Sequence, residues 1–146
     1  MYFLPDFVQG PVLLYNLIIT DGHIKTILVA EDDPETRLIL QQGLLRAGYR
    51  VVIAEDGEQA LERFRESRPD LVLLDIDMPR LNGWEVLERL KSGWRSRRVP
   101  VVMVTGKTSD EDKIRGYELG VDYYVTKPFN TQRLLPIIRN LVSGIK

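Results

Sequence analysis

The residues best suited to chemistry are acidic, and each group sits at the end of an apolar run. Glu31-Asp32-Asp33 follows one run, and Asp75 follows another, with Asp77 two residues further on. Thr105 closes a third run and Thr126-Lys127-Pro128 a fourth. If Glu31, Asp32 and Asp75 converge, each pair of carboxylates about 4 Å apart repels by roughly 4 kcal/mol at an effective dielectric near 20. Lys127 offsets one charge and leaves about -2 by Coulomb counting. A divalent cation would neutralise the remainder. Oxygen donors with no His or Cys beside them favour Mg²⁺ over zinc. Mg²⁺ keeps several waters and takes one or two carboxylates plus a phosphate oxygen, so such a site would be complete only with a phosphoryl group present.

Convergence depends on the elements that carry these residues. Ile27 to Ala30 is a compact apolar run, as expected of a strand buried on both faces. Asp33-Pro34 reads as a helix start, and Leu40, Leu44 and Ala47 form the apolar stripe of the helix that follows, with Gly48 as its stop. Val51 to Ala54 is a second strand and Gly57 to Ser67 a second helix, with Ala60, Leu61 and Phe64 inward. Pro69-Asp70 breaks it, and Leu71 to Leu74 is a third strand ending at Asp75. A third helix covers Gly83 to Lys91, buried through Val86, Leu87 and Leu90. Val101 to Val104 is a fourth strand, Asp110 to Leu119 a fourth helix, Tyr123 to Thr126 a fifth strand and Thr131 to Val142 a last helix. Five strands alternating with five helices predict a doubly wound α/β sheet with helices on both faces. In an open parallel sheet ligands collect outside the carboxyl ends of the strands, where all these polar residues fall.

The bulk numbers fit a single globular domain. The chain has 146 residues, 44% hydrophobic and 28% charged, with a formal net charge of -1 and no cysteine. That balance gives no electrostatic case for nucleic acid or an anionic membrane as partner. The absence of cysteine removes disulfides and thiolate metal sites. The longest apolar candidate near the start, Val12 to Ile19, is short and interrupted by Asn16, and the first Lys or Arg is Lys25. A soluble, cytoplasmic protein is expected.

Four stretches then carry a resemblance. Ile27 to Pro34, Leu71 to Pro79 with Asn82-Gly83, Val101 to Gly106, and Asp122 to Phe129 resemble, in order and spacing, the receiver domains of two-component response regulators. The resemblance covers about Lys25 to Ile145. It implies an α/β, flavodoxin-like (βα)5 sheet of five parallel strands in the order 2-1-3-4-5. It implies a receiver domain over residues 25–146 preceded by an extension, 1–24, of unknown role. By this resemblance Asp75 is the phosphoacceptor, taking a phosphoryl group from a phosphohistidine on a sensor histidine kinase or phosphotransfer protein. Asp32 is a direct Mg²⁺ ligand beside Asp75, Glu31 holds a metal-bound water, and the main-chain carbonyl of Asp77 also binds the metal. Lys127 pairs with the acceptor and then with the phosphoryl oxygens, and Thr105 donates a hydrogen bond to them. Thr105 and Tyr124 are the switch pair, and the face formed by the fourth helix, fifth strand and fifth helix changes shape for a downstream target or output domain. Asp77 and Lys107 occupy the two positions that flank the phosphate in the family and tune its lifetime, and they are expected to pair across the site and shield the phosphate from water. The family also tends to hold the Lys127–Pro128 bond cis.

Taken singly, most of these residues have plainer readings. Asp32-Asp33 before proline suits a helix cap, Asp75 a turn, Lys127-Pro128 a turn and Tyr124 the core. His23, the only histidine, lies outside the resemblance and reads as a loop residue, so a partner must bring the phosphohistidine. Arg95, Arg97 and Arg98 beside Trp94 read as a solvated loop rather than a nucleic-acid contact. Two rival functions stay open: a Mg²⁺-dependent aspartyl-phosphate phosphatase, because Asp75-Ile76-Asp77 resembles an Asp-x-Asp nucleophile motif, and a non-phosphorylated interaction module of the same fold. A homodimer is possible. Residues 1–22 have no counterpart in the family, and an added strand, a dimer contact and an upstream reading-frame artefact are alternatives for them. Pro136 falls inside the last expected helix, where it costs about 3 kcal/mol, so a later start near Leu135 or a kink is expected. No output domain is apparent before Lys146, which leaves a stand-alone regulator and a piece of a longer protein both open.

Overall fold

Apolar runs become central strands here because helices cover both of their faces. The computed structural model describes residues 23–144. Its first half runs β1 (Thr26–Ala30), α1 (Pro34–Arg46), β2 (Arg50–Ala54), α2 (Gly57–Ser67) and β3 (Leu71–Leu74). Its second half runs α3 (Gly83–Ser92), β4 (Val101–Thr105), α4 (Asp110–Glu118), β5 (Tyr123–Thr126) and α5 (Thr131–Val142), with one turn of 3-10 helix at Ser96–Arg98. All strands pair in parallel in the order β2-β1-β3-β4-β5. This is the flavodoxin-like, doubly wound arrangement that was expected, with element ends differing by one residue at most of the edges that moved. Of the expected extension, 1–24, residues 1–22 lie outside the described residues.

Alternate side chains of each strand go to opposite faces, and each face has its own core. Ile27, Val29, Leu71, Leu73, Val102 and Val104 meet Leu40 and Leu44 of α1 and Leu134 and Ile138 of α5. Leu28, Ala30, Val72, Leu74, Val101 and Met103 meet Ala60 of α2 and Val86, Leu87 and Leu90 of α3. Each such large apolar side chain contributes about 1.5–3 kcal/mol by leaving water.

Side-chain caps start the helices where the sequence offers Asp, Asn or Ser. Asp33 Oδ2 accepts from the Thr36 N–H at 3.0 Å and from its hydroxyl at 2.6 Å, and these bonds hold the Asp33 carboxyl below its usual pKa. Gly48 adopts φ +94° just past α1, the left-handed stop that glycine accepts most cheaply. The expectation of a later start for α5 is not met, because the helix begins at Thr131 and continues through Pro136. Asn130 supplies its cap by accepting from the Gln132 N–H. Pro136 cannot donate to the Gln132 carbonyl, but both residues are exposed, so water can take that acceptor.

Candidate functional site

The strand order reverses between β1 and β3, and a parallel sheet opens a crevice at such a point. β1 and β3 pair with Ala30 opposite Leu74. Glu31 and Asp75, the next residues on each strand, therefore emerge side by side at the carboxyl edge. Register alone brings two carboxylates within about one strand spacing of each other. Main-chain bonds fix the pair, since Glu31 N–H donates to the Ala54 carbonyl and Asp75 N–H to the Ala30 carbonyl, each at 3.0 Å.

Both side chains are buried, Glu31 at 2% and Asp75 at 5% exposure, while Asp32 is exposed. Oxygens of Glu31, Asp32 and Asp75 all lie within 4.8 Å of one another. Lys127 reaches in from the end of β5, with Nζ 2.5 Å from Glu31 Oε1 and 3.2 Å from Asp75 Oδ2. The lysine is thus shared, and its shorter bond goes to Glu31 rather than to the expected acceptor. Its main chain is fixed by the Lys127 N–H donating to the Thr105 carbonyl at 2.7 Å, and the Lys127–Pro128 bond is cis. The other Asp75 oxygen, Oδ1, accepts from the Ile76 N–H at 2.7 Å.

The protonation balance shows how crowded the acids are. Burial, reinforced by the neighbouring Asp75 carboxyl, pushes Glu31 up to about 7, with Lys127 pulling the other way. Burial opposes the Lys127 ammonium, yet hydrogen bonding and attraction from Glu31 and Asp75 outweigh it and hold Lys127 above its usual value. One cation does not quench the acids gathered around it.

The other residues singled out by sequence form the rim. Thr105 is fully buried at the end of β4, and its hydroxyl accepts from the Lys107 N–H at 3.3 Å. Lys107 Nζ stands 3.8 Å from Asp77 Oδ1, an exposed pair across the mouth of the site. Tyr124 is 8% exposed, already turned inward, and its hydroxyl donates to the Lys107 carbonyl at 2.8 Å. Burial, with smaller contributions from Asp112, Asp75 and Asp77, pushes this phenol up to about 12.

Three supporting residues escaped the sequence reading of roles. Arg37 Nη1 donates to the Glu31 carbonyl at 2.9 Å and to the Asp32 carbonyl at 3.3 Å, tying the acidic loop to α1. Gly83 lies against the acceptor strand so closely that a Cβ would overlap the Asp75 carbonyl oxygen. Gly116 of α4 faces the Tyr124 ring, and a Cβ there would come 3.1 Å from it. Arg37 carried no signal, whereas Gly83 was visible within Asn82-Gly83 but reads in sequence only as a helix start.

Comparison with known proteins agrees with this geometry. A family model described as response regulator receiver domain matches residues 27–139. The alkaline phosphatase synthesis transcriptional regulatory protein PhoP of Bacillus subtilis is 41% identical over 110 residues, covering 75% of this chain and 45% of that protein. The chain therefore spans about half the length of the curated relatives it matches. Among solved structures, a CheY-like response regulator receiver domain protein from Methanospirillum hungatei superposes with TM-score 0.78 at 30% identity, covering 84% of this chain and 96% of that one. The phosphorylated cyanobacterial phytochrome response regulator RcpA superposes with TM-score 0.71 at 33% identity, covering 84% and 91%. No helix among the described residues is long and apolar enough to cross a membrane. Strand order, acidic crevice and matched residues together place the chain in the response regulator receiver domain family.

Proposed function

We propose that the chain is a phosphorylation-dependent signalling switch in which Asp75 accepts a phosphoryl group from a phosphohistidine on a sensor histidine kinase or phosphotransfer protein. The observation that carries this reading is the Lys127 ammonium held between Glu31 and Asp75 at the switch point of the sheet. It leaves Asp75 buried and oriented, with an acidic excess beside it. An all-oxygen donor set with about two uncompensated negative charges fits a small hard divalent ion. Glu31, Asp32 and Asp75, with the main-chain carbonyl of Asp77, would hold Mg²⁺. Bound there, Mg²⁺ would neutralise charge on the phosphoryl oxygens.

The chain's own residues supply position and further charge. The Asp75 carboxylate forms the new O–P bond while the P–N bond of a protonated phosphoimidazole breaks, its electron pair returning to the ring so that neutral imidazole leaves. Lys127 stays beside the acceptor oxygen and takes up the charge that Asp75 hands to the phosphoryl group. The Thr105 hydroxyl donates to a phosphoryl oxygen. Phosphate brings roughly -1.5 to -2 charge to a crowded acidic site, and Thr105 and Tyr124 pass that change to the face of α4, β5 and α5. A downstream protein target or output domain reads this face. The chain is phosphorylated stoichiometrically and is not a multiple-turnover phosphatase. The receiver unit spans 25–146, with 1–24 as an extension, and works in the cytoplasm.

Intact mass after incubation with acetyl phosphate and Mg²⁺ tests the reading. The wild type is expected to gain one phosphate, and Asp75→Ala none. Phosphate on both proteins, or on neither, would overturn it.

A further inference from the structure

The opposite edge of the sheet carries a second feature. The carboxyl-terminal ends of α2 and α3 and the loop before β4 enclose an open groove of about 660 Å³. Its floor is apolar, made of Leu61, Phe64, Leu90 and Val99. Its rim is cationic: Arg65, Arg68, Arg89 and Arg95 are all exposed, and none forms an ion pair among the described residues. The nearest acids of α2 are turned to another cation, since Glu62 and Glu66 pair with Arg63.

A helix cap and a set of hydrogen bonds fix the walls of this groove. Arg68 adopts φ +48°, a left-handed position that costs a non-glycine residue on the order of 1 kcal/mol, and it lines the rim. The loop wall is pinned from behind. Lys91 Nζ donates to the Arg97 and Val99 carbonyls at 3.2 and 3.0 Å and to Asp122 Oδ2 at 3.2 Å. The Ser96 hydroxyl donates to the Leu90 carbonyl at 2.5 Å. On this fixed wall Trp94 stands 63% exposed, with the Arg95 guanidinium 5.0 Å from its ring centroid. An exposed indole at the lip of an apolar groove is a common anchor for a partner.

We propose that this groove is a docking site for an acidic amphipathic segment of a partner protein, its aliphatic or aromatic side chains on the floor and its carboxylates on the arginine rim. Charge complementarity selects the occupant: a local excess of cations stands on a chain whose net charge is -1. The apolar floor favours a peptide with side chains to bury over a nucleic acid, whose sugar-phosphate backbone would leave it uncovered. Arginine forks donate paired hydrogen bonds to carboxylates, and the pinned wall lowers the ordering cost of binding. The site lies at the amino ends of the strands, away from Asp75, and the inference stands without the phosphoryl reading.

Selection of a displayed library of random linear peptides on the full-length chain tests this. Enriched peptides are expected to combine Asp or Glu with Leu, Phe or Trp. A synthetic copy of the most enriched one, labelled with fluorescein, should bind Arg68→Glu/Arg95→Glu at least about tenfold more weakly by anisotropy, and Trp94→Ala several-fold more weakly. All three positions are exposed, and circular dichroism confirms that each variant is folded. Failure to enrich any peptide, enrichment without acidic residues, or unchanged affinity in both variants would overturn the proposal. Tighter binding of a fluorescein-labelled oligothymidylate than of the peptide would overturn it as well.

Discussion

The two edges of this sheet handle charge in opposite ways. At the carboxyl edge, the two buried carboxylates share one lysine, and the acidic excess left over is carried by the exposed Asp32 and by the proton affinity of Glu31. At the amino edge, guanidinium groups crowd a groove with no acid among the described residues paired to them, and all of them face water. Burial explains the difference. A buried charge left alone costs several kcal/mol, so the buried carboxylates of the carboxyl edge need the lysine between them, whereas exposed arginines tolerate isolation. The stability of the carboxyl edge is therefore sensitive to single substitutions and that of the amino edge is not.

The largest effect should come from removing the shared cation. Lys127→Met leaves Glu31 and Asp75 without their partner and is expected to slow phosphorylation of Asp75 roughly a hundredfold, measured by intact mass against time. It should also lower metal-free stability at pH 8 by about 3 kcal/mol in urea unfolding. Gly83→Ala comes next. Its Cβ overlaps the Asp75 carbonyl, so main chain must shift, at an expected cost of about 1–3 kcal/mol in the same assay.

The pH dependence of the carboxyl edge is of similar or smaller size. Glu31 is raised from 4.5 to about 7 on folding, so the folded protein binds this proton more tightly than the unfolded chain. Between those values stability must fall as pH rises, by at most about 3 kcal/mol, and the loss is complete above pH 7. Thermal melts without metal should show this slope, and Glu31→Gln should flatten it. A wild-type melt that rose with pH across this window would contradict the burial argument.

The smallest effects belong to exposed groups. Lys107→Ala removes the 3.8 Å pair with Asp77 and is expected to speed loss of phosphate several-fold while moving stability by under about 0.5 kcal/mol. An unchanged phosphate half-life would show that the pair does not shield the site. Trp94→Ala at the amino edge should likewise leave stability within about 0.5 kcal/mol.

The sequence showed most of what depends on period and position. Unbroken apolar runs such as Leu71 to Leu74 identify doubly covered strands, and a parallel sheet then has to present Glu31, Asp75, Thr105 and Lys127 at one edge. Side-chain partnership was less legible. Nothing in the spacing says that Lys127 leans harder on Glu31 than on Asp75, because the choice depends on rotamers within a few tenths of an ångström. Pro136 was legible only as a conflict. The alternatives were a late start or a bend, and the reason the helix begins at Thr131, an Asn130 cap with the proline facing solvent, lies in three dimensions. The arginine rim was hidden for another reason. Arg65, Arg68, Arg89 and Arg95 sit on separate elements and meet only after α2 and α3 have packed.

The grip of Tyr124 on residue 107 has one more implication. The phenol holds the main-chain oxygen, while the ammonium of the same residue faces Asp77. A lineage can therefore exchange the residue at 107 to alter the electrostatic gate over the crevice without cutting the tyrosine's tether. If Lys107 sets the phosphate lifetime and Tyr124 carries the switch, timing and transmission would run through one loop residue on separable atoms, and variation at 107 would adjust the clock and leave the lever in place.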